Sequence, residues 1–281
     1  MAKTKVGVLL SCELGLTIFN SRIERPVTTM FGDPSAPIVE CNVGKVPCIY
    51  LYREGKEGIE RPPGNVNHRG NVWALKENGC THVIGITLDG TLSNEMKPGD
   101  IVVLQDFIDC TSGRQQTFHD GEFGSPPGKM HVPMIPSFSE GLRQCVVDSA
   151  NEAAINVISS GVAAVLDGPS FATSADAVRH KNAGAKLINW CTSPEAILAK
   201  EAGLLYVGLS LVTYDARVQQ TQLQMTRNTL ASRSNMDDLL RVVIDGIGIR
   251  DWDKEISELL KSLGTDDTSC TCTEYEKRED C

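Results

Sequence analysis

The sequence predicts a single α/β domain built around a central mixed, largely parallel β-sheet that is flanked by helices. Short apolar runs recur along the chain, helix-like segments lie between them, and an apolar content of 41% is enough for a sizeable core. The domain is expected to cover residues 1–264. The remaining segment, 265–281, is polar and charged without an apolar period, which predicts a disordered acidic tail that contains cysteines.

The strands are predicted from apolar runs, because strands buried on both faces carry nearly continuous apolar residues. The predicted strands are 6–10, 47–52, 82–87, 100–107, 161–166, 185–189 and 204–213.

The helices are predicted from amphipathic periods and from their end signals. Gly79 is a natural stop for a helix over 72–78, and Ser193 with Pro194 is a typical start for a helix over 193–202. The other predicted helical segments are 139–159, 236–244 and 252–263.

Composition excludes several classes of function. The net charge of −9 argues against general affinity for nucleic acids or anionic membranes, which needs clustered basic residues. The N-terminal apolar run is too short for a signal peptide, and no run is long enough for a membrane span, so a cytoplasmic protein is expected. The 10 cysteines form no CxxC pair, which favours reduced thiols over disulfides or a metal site.

Motifs alone leave the function open. The sequence contains no Walker A motif, GxGxxG fingerprint, HExxH or GxSxG. Ligands of parallel sheets bind at the carboxyl ends of the strands, and here those ends carry hydroxyls, turn glycines and Arg53. Such a set can hold a phosphate, but strand ends also carry turn-forming residues for purely structural reasons.

Several segments together resemble the methylthioadenosine phosphorylase and purine nucleoside phosphorylase family. They are NVWALKENGCTHVIGIT, DGTL, KPGDIVVLQDFID, MHVPM, DGPSF and GAKLINWCTSPEAILAKEAGLLYVGLSLVT, and the similarity spans about residues 5–250. The resemblance implies an α/β domain, a homotrimer and a role in purine salvage. It also implies transfer of the pentosyl group of a purine nucleoside to inorganic phosphate, which gives free base and ribose 1-phosphate. It implies no metal and no cofactor besides phosphate as co-substrate.

The resemblance places the phosphate site on Ser11, Cys12, Arg53, Glu54, Thr87, Leu88 and Cys191. Arg53 and Thr87 match the family pattern. Glu54 replaces a histidine, and its carboxylate would repel a phosphate dianion unless it turns away. Cys12 and Cys191 replace threonines that bind phosphate, and Ser11 could substitute for the first of them.

The nucleoside site follows from the same resemblance. It is expected to comprise His131, Phe171, Ile188, Asn189, Trp190, Tyr214, Asp215 and Ala216. Phe171 matches a ring that stacks near the purine, and Trp190 replaces a smaller methionine under the ribose. Asp215 is the one acid kept from an Asp-Tyr-Asp stretch, so it is the predicted catalytic acid. His131 matches a residue that a neighbouring subunit contributes.

The sequence is compatible with three functions. The first is a purine nucleoside phosphorylase with altered base preference, and the second is a catalytically impaired homologue that serves as a structural or binding protein. The third is a cysteine-based activity at Cys12 or Cys191, which no predicted neighbouring histidine supports. Outside the site, His68 and His180 are expected at the surface and His82 in the core.

Overall fold

The computed structural model describes residues 4–56 and 60–264, and these residues form a mixed nine-stranded sheet. The strands are β1 Val6–Leu10, β2 Asn20–Arg25, β3 Ile38–Val43, β4 Val46–Tyr52, β5 His82–Thr91, β6 Ile101–Asp109, β7 Ile158–Val165, β8 Leu187–Asn189 and β9 Leu205–Asp215. Their order in the sheet is β2-β3-β4-β1-β5-β8-β7-β6-β9, and β5 also pairs with β9.

Helices cover both faces of this sheet. They are α1 His68–Glu77, α2 Glu140–Glu152, α3 Ser174–Asn182, α4 Thr192–Glu201, α5 Gln222–Ala231, α6 Arg233–Ile249 and α7 Asp253–Ser262. Helices α2 and α6 contribute to one buried apolar cluster, and α1 and α4 contribute to a second one. The predicted fold class, one α/β domain around a mixed sheet, is confirmed.

Parallel pairing brings several strand ends to one edge of the sheet. Strand β1 lies parallel to both β4 and β5, and β5 lies parallel to β9. The chain segments that follow β1 and β4 therefore emerge side by side, close to the carboxyl-terminal halves of β5 and β9. This arrangement positions the cavity described below.

The structure corrects several element predictions. The segment predicted as one long helix over 139–159 contains α2, which ends with Ala153 as its C-cap, and the beginning of β7 at Ile158. Ala154 adopts a φ of 55°, which ends the helical geometry there. The Ser193 hydroxyl donates to Asp109 Oδ2 at 2.7 Å rather than capping α4. The expected acidic tail over 265–281 and the domain boundary before it lie outside the described residues.

Asp237 on α6 fastens the segment after β1 to the helical layer. Its carboxylate accepts from Thr17 N at 2.9 Å, from Thr17 Oγ1 at 2.7 Å and from Ile18 N at 3.3 Å. Replacing Asp237 with alanine leaves these donors without an acceptor, so we expect the free energy of unfolding to fall by about 2–3 kcal/mol. Urea denaturation would measure this loss. The exposed neighbour offers a matched control, since Asp238→Ala should change stability by less than about 0.5 kcal/mol.

Candidate functional site

A cavity of about 490 Å³ opens at the edge of the sheet where these strand ends meet. We term it the strand-end cavity. Of the predicted site residues, Ser11, Arg53, Glu54, Thr87, Leu88, Phe171, Asn189, Trp190, Cys191 and Tyr214 line it. The structure therefore brings together ten residues from six segments that are far apart in the sequence. The volume is large enough for a nucleoside-sized ligand.

Arg53 follows β4 and is almost entirely engaged by the protein itself. Its Nε and Nη2 donate to the carboxylate of Glu195, the second of these bonds being 3.0 Å long. Nη1 donates to the Ile86 carbonyl at 3.0 Å, and Nη2 also donates to the Leu9 carbonyl at 3.2 Å. Four of the five N–H bonds of this guanidinium are thus used, which leaves one on Nη1 for a ligand.

Glu195 neutralises Arg53 inside the protein. Both side chains are at most 1% exposed. Burial alone would raise the pKa of Glu195, but the adjacent Arg53 charge outweighs burial and lowers this pKa to about 2. The pair therefore stays ionised, and its net charge toward the strand-end cavity is close to zero.

Glu54 is the carboxyl group that faces this cavity beside Arg53. The Cys191 thiol donates to Glu54 Oε1 at 3.9 Å, whereas Oε2 is shielded from solvent and accepts from no described residue. Burial raises the pKa of Glu54, and burial also raises the pKa of the Cys191 thiol. A thiol with a raised pKa is a poor nucleophile, so the cysteine-based hypothesis gains no support at Cys191.

Thr87 on β5 lines the cavity with a hydroxyl-bearing side chain. Its Oγ1 is buried and makes no hydrogen bond of good geometry within the described residues, but it lies close enough to the Asp89 carboxyl to lower the pKa of that group. Asn189, by contrast, is fully occupied: its Nδ2 donates to Asp89 Oδ2 at 3.0 Å and to Thr192 Oγ1 at 2.9 Å, while its Oδ1 accepts from the backbone N–H groups of Cys191 and Thr192. Asn189 therefore shapes the end of β8 and has no polar atom left for substrate.

Asp89 lies fully buried behind this layer. Burial raises its pKa to about 6 from an ordinary value of 3.8, although the side chains of Thr87, Asn189 and Ser210 oppose the shift. Because folding raises the pKa of Asp89, the free energy of unfolding of the protein falls as the pH rises from 3.8 to about 6. The loss persists above that range.

Replacing Asp89 by asparagine removes this cost at neutral pH. We expect Asp89→Asn to raise the free energy of unfolding by about 1–3 kcal/mol near pH ~8 and by much less near pH ~4. Urea titrations at the two pH values measure the difference, and Asp238→Asn provides the same charge change at an exposed position. A variant that is less stable than the wild type near pH ~8 would show that the buried carboxylate is not a cost to the fold.

Three aromatic side chains form an apolar wall of the cavity. The ring centroids of Phe171 and Trp190 are 5.3 Å apart, and those of Phe171 and Tyr214 are 5.2 Å apart. Phe171 is 48% exposed, which leaves ring surface open to a ligand. Such a wall suits a flat heteroaromatic group. Trp190 lines the cavity together with these two rings.

Arg114 holds the two loops that carry this wall. Its Nη1 donates to the carbonyls of Trp190 at 2.6 Å and Ser193 at 2.8 Å. Its Nη2 donates to the carbonyls of Leu166 at 3.1 Å and Asp167 at 2.9 Å. One side chain thereby fixes the segments after β7 and β8 relative to each other. Sequence reasoning missed this role because it depends on contacts across more than fifty residues.

The remaining predicted residues lie outside the cavity lining. Asp215, the predicted catalytic acid, is paired with Arg217 at 2.7 Å, and hydrogen bonds from Arg217 lower its pKa. Ile188 is a core residue and Ala216 packs against the same small cluster. His131 is exposed on the long loop before α2, and its predicted role in a neighbouring subunit stays a prediction. Cys12 begins the 3₁₀ turn Cys12–Leu14, but its side chain is outside the described part of the structure.

The structure also adds residues that the sequence analysis did not single out. They are Glu13, Arg61, Pro62, Pro63, Pro169, Thr213, Gln222, Met225, Thr226 and Thr229. Four of these belong to α5, a helix that the apolar pattern did not reveal because it buries little of its surface. Arg61 has no side-chain ion pair among the described residues and is the second cation of the cavity.

Two histidine predictions are wrong. His68 is 4% exposed and His180 is 2% exposed, although both were expected at the surface. His68 Nδ1 lies 3.4 Å from Glu195 Oε1, so the histidine packs beneath the Arg53–Glu195 pair. Burial lowers the pKa of His68, which favours its neutral form. His82 is buried as expected.

The described ranges contain no cluster of three or more His, Cys, Asp or Glu side chains that could hold a metal ion. Within the same ranges, no helix has the length and apolar character needed to cross a bilayer. The six cysteines described with side chains are free, and all except Cys110 are buried.

Comparison with known proteins shows the family. The model of the phosphorylase superfamily matches residues 5–244. S-methyl-5′-thioadenosine phosphorylase of Anopheles gambiae is 37% identical over 272 residues, which are 94% of this chain and 97% of that protein. Purine nucleoside phosphorylase of Drosophila pseudoobscura pseudoobscura is 36% identical and covers 90% of this chain and 89% of its own length. The structure of methylthioadenosine phosphorylase from Schistosoma mansoni in complex with adenine superposes with a TM-score of 0.88 at 33% identity, over 94% of this chain and 98% of that chain. The chain belongs to the phosphorylase superfamily.

Proposed function

We propose that the strand-end cavity cleaves the N-glycosidic bond of a purine nucleoside by transferring the pentosyl group to inorganic phosphate. The observation that carries this proposal is that one cavity combines the aromatic wall of Phe171, Trp190 and Tyr214 with the Thr87 hydroxyl and the last free N–H of Arg53. The rings suit a purine, and the polar donors suit an anion.

The reaction gives each group a defined part. The bond between the sugar C1′ and the purine nitrogen breaks, and its electron pair leaves with the purine, which takes up a proton. A phosphate oxygen then bonds to C1′ and gives ribose 1-phosphate. Thr87 and Arg53 are proposed to hold that phosphate, because hydrogen-bond donors fixed in advance stabilise the charge that develops in the transition state.

The base preference is proposed to differ from that of the methylthioadenosine phosphorylases. Asp215 bonds Arg217 and lies outside the cavity lining, and Tyr214 and Thr213 line the region instead. No carboxylate from this segment is therefore placed to accept from a 6-amino group. A homotrimer, as the resemblance implies, remains a prediction that sedimentation analysis would test.

An assay on four nucleosides tests the proposal. Inosine, guanosine, adenosine and methylthioadenosine are each incubated with saturating phosphate, and free base and pentose 1-phosphate are measured. We expect equal amounts of the two products from at least one 6-oxopurine nucleoside. Base release that stays at the buffer rate on all four would contradict the proposal and favour the impaired homologue, which the carboxyl of Glu54 in the anion region also favours.

A further inference from the structure

His68 is a buried histidine that the proposed reaction does not use. Its side chain is 4% exposed, and its Nδ1 lies 3.4 Å from Glu195 Oε1. Within the described ranges its Nε2 has no hydrogen-bond partner, so the contact with Glu195 is the one polar contact of the ring there. A buried imidazole with so few partners is costly to the fold, and it calls for an explanation beyond packing.

The beginning of α1 places His68 beneath the ion pair. Asn67 caps this helix with its side chain, and its Nδ2 donates to the carbonyls of Phe31 at 2.8 Å and Asp33 at 3.0 Å. Because α1 packs against α4, which carries Glu195, the first residue of α1 is held against that carboxylate. The backbone thus fixes where the imidazole lies relative to Glu195.

The carboxylate of Glu195 sets the plane of the Arg53 guanidinium. Nε of Arg53 donates to Oε1 and Nη2 donates to Oε2, which is a bidentate arrangement with fixed geometry. The one N–H of Arg53 that is free for a ligand lies in the same plane, on Nη1. The direction of this N–H therefore depends on how Glu195 is held.

Each oxygen of the Glu195 carboxylate has one further neighbour. Tyr206 Oη donates to Oε2 at 3.3 Å, and His68 Nδ1 lies 3.4 Å from Oε1. Burial lowers the pKa of His68, which keeps the ring neutral and leaves it with one N–H, and the carboxylate favours the tautomer that carries this N–H on Nδ1. The contact is longer than a standard N–H···O bond, so it restrains the carboxylate through electrostatic attraction.

From this geometry we propose that His68 is a positioning residue for phosphate binding. Its imidazole restrains Glu195, Glu195 fixes the guanidinium plane of Arg53, and the free N–H of Arg53 is thereby aimed at the anion. The inference rests on the proposed function, since it concerns the phosphate that the strand-end cavity is proposed to hold. Loss of the imidazole should weaken phosphate binding and leave nucleoside binding at the aromatic wall unchanged.

The experiment compares His68→Leu and His68→Asn with the wild type. We expect His68→Leu to raise the KM for phosphate by about 10-fold at an unchanged KM for the nucleoside, because the free N–H of Arg53 is no longer held in one direction. His68→Asn keeps an N–H donor near the Nδ1 position, so its KM for phosphate should stay within about threefold of the wild type. Calorimetric titration with inorganic phosphate alone measures the same change without turnover.

His82 offers the matched control, because it is a buried histidine at the beginning of β5, outside the cavity lining, where its ring packs against Trp252. His82→Leu should lower the free energy of unfolding and leave the KM for phosphate unchanged. If His68→Leu does not fold, His68→Met takes its place in every comparison.

Three results would overturn the role of His68. They are wild-type phosphate binding in His68→Leu, equal losses of phosphate and nucleoside binding in that variant, and phosphate binding in His68→Asn that is as weak as in His68→Leu. A wild type that binds phosphate more tightly than His68→Leu but releases no base would refute the proposed function and support the role of His68. A wild type that binds no phosphate would refute both.

Discussion

Glu195→Gln is expected to lower the free energy of unfolding by about 3–5 kcal/mol, because it leaves the buried guanidinium of Arg53 without its counter-charge. The substitution keeps the shape of the side chain, so the loss reports on charge rather than on a packing defect. The same change should weaken the hydrogen bonds that orient the Arg53 guanidinium. Because Arg53 is proposed to bind phosphate, we expect turnover to fall as well. Thermal or urea denaturation measures the stability, and the assay described above measures the turnover.

Glu201 provides the matched control on the same helix. It is 6% exposed, and it accepts from Thr117 Oγ1 at 2.6 Å and from Phe118 N at 2.8 Å, both of which are neutral donors. Glu201→Gln should therefore cost only about 1–2 kcal/mol and should leave turnover unchanged in the folded protein. Equal losses in the free energy of unfolding for the two variants would show that the Arg53–Glu195 ion pair stabilises the fold no more than the neutral hydrogen bonds of Glu201 do.

Thr87→Val is expected to lower kcat/KM for phosphorolysis by about 10²–10³-fold, as removal of one preorganised donor from a transition state typically does. The variant keeps the volume and branching of threonine and removes only the hydroxyl, whose contact within the described residues is the one with the Asp89 carboxyl. Its effect on stability should be about 1 kcal/mol or less, because only the contact with the Asp89 carboxyl is lost. Steady-state kinetics at several phosphate concentrations would separate lost phosphate binding from lost turnover.

Thr91 on the same strand is the control for this experiment. It is buried outside the cavity lining, and its hydroxyl accepts from Ser93 N at 3.0 Å and donates to Ser93 O at 3.2 Å. Thr91→Val should lose about 1 kcal/mol of stability and keep its kcat/KM. If Thr87→Val instead retained wild-type kinetics, the Thr87 hydroxyl would not contact the reacting groups.

The scaffold was predictable from the sequence where local apolar pattern decides the structure. The run over 6–10 is β1 as predicted, because a parallel strand buried on both faces needs an unbroken apolar segment. Strands β2 and β3 escaped prediction, since the sequence NSRIER is mostly polar and IVECNV interrupts its apolar residues with Glu40 and Asn42. Tertiary pairing, rather than local pattern, makes them strands.

The composition of the site was predictable, but its internal bonding was not. The resemblance brought Arg53, Asn189 and Asp215 into the site, and the strand ends do bring Arg53 and Asn189 to one cavity. Whether a polar atom is available to a ligand depends on partners elsewhere in the chain. Arg53 meets Glu195 across 142 positions, whereas Asp215 is captured by Arg217 only two positions away.

The buried histidine beneath the site illustrates the same limit. A lone histidine beside an arginine in the sequence HRGN gives no sign of burial. His68 is buried because α1 packs against α4, which carries Glu195. Its environment is set by an interaction between distant segments, and no local signal in the sequence reports that interaction.

The most direct test of the proposed phosphorolysis in the strand-end cavity is a crystal structure of the protein soaked with inosine and phosphate. We expect the purine to lie against Phe171 and Tyr214, and an anion to lie within hydrogen-bond distance of Thr87 Oγ1 and Arg53 Nη1. An empty strand-end cavity at saturating ligand, or a purine bound elsewhere on the molecule, would contradict it.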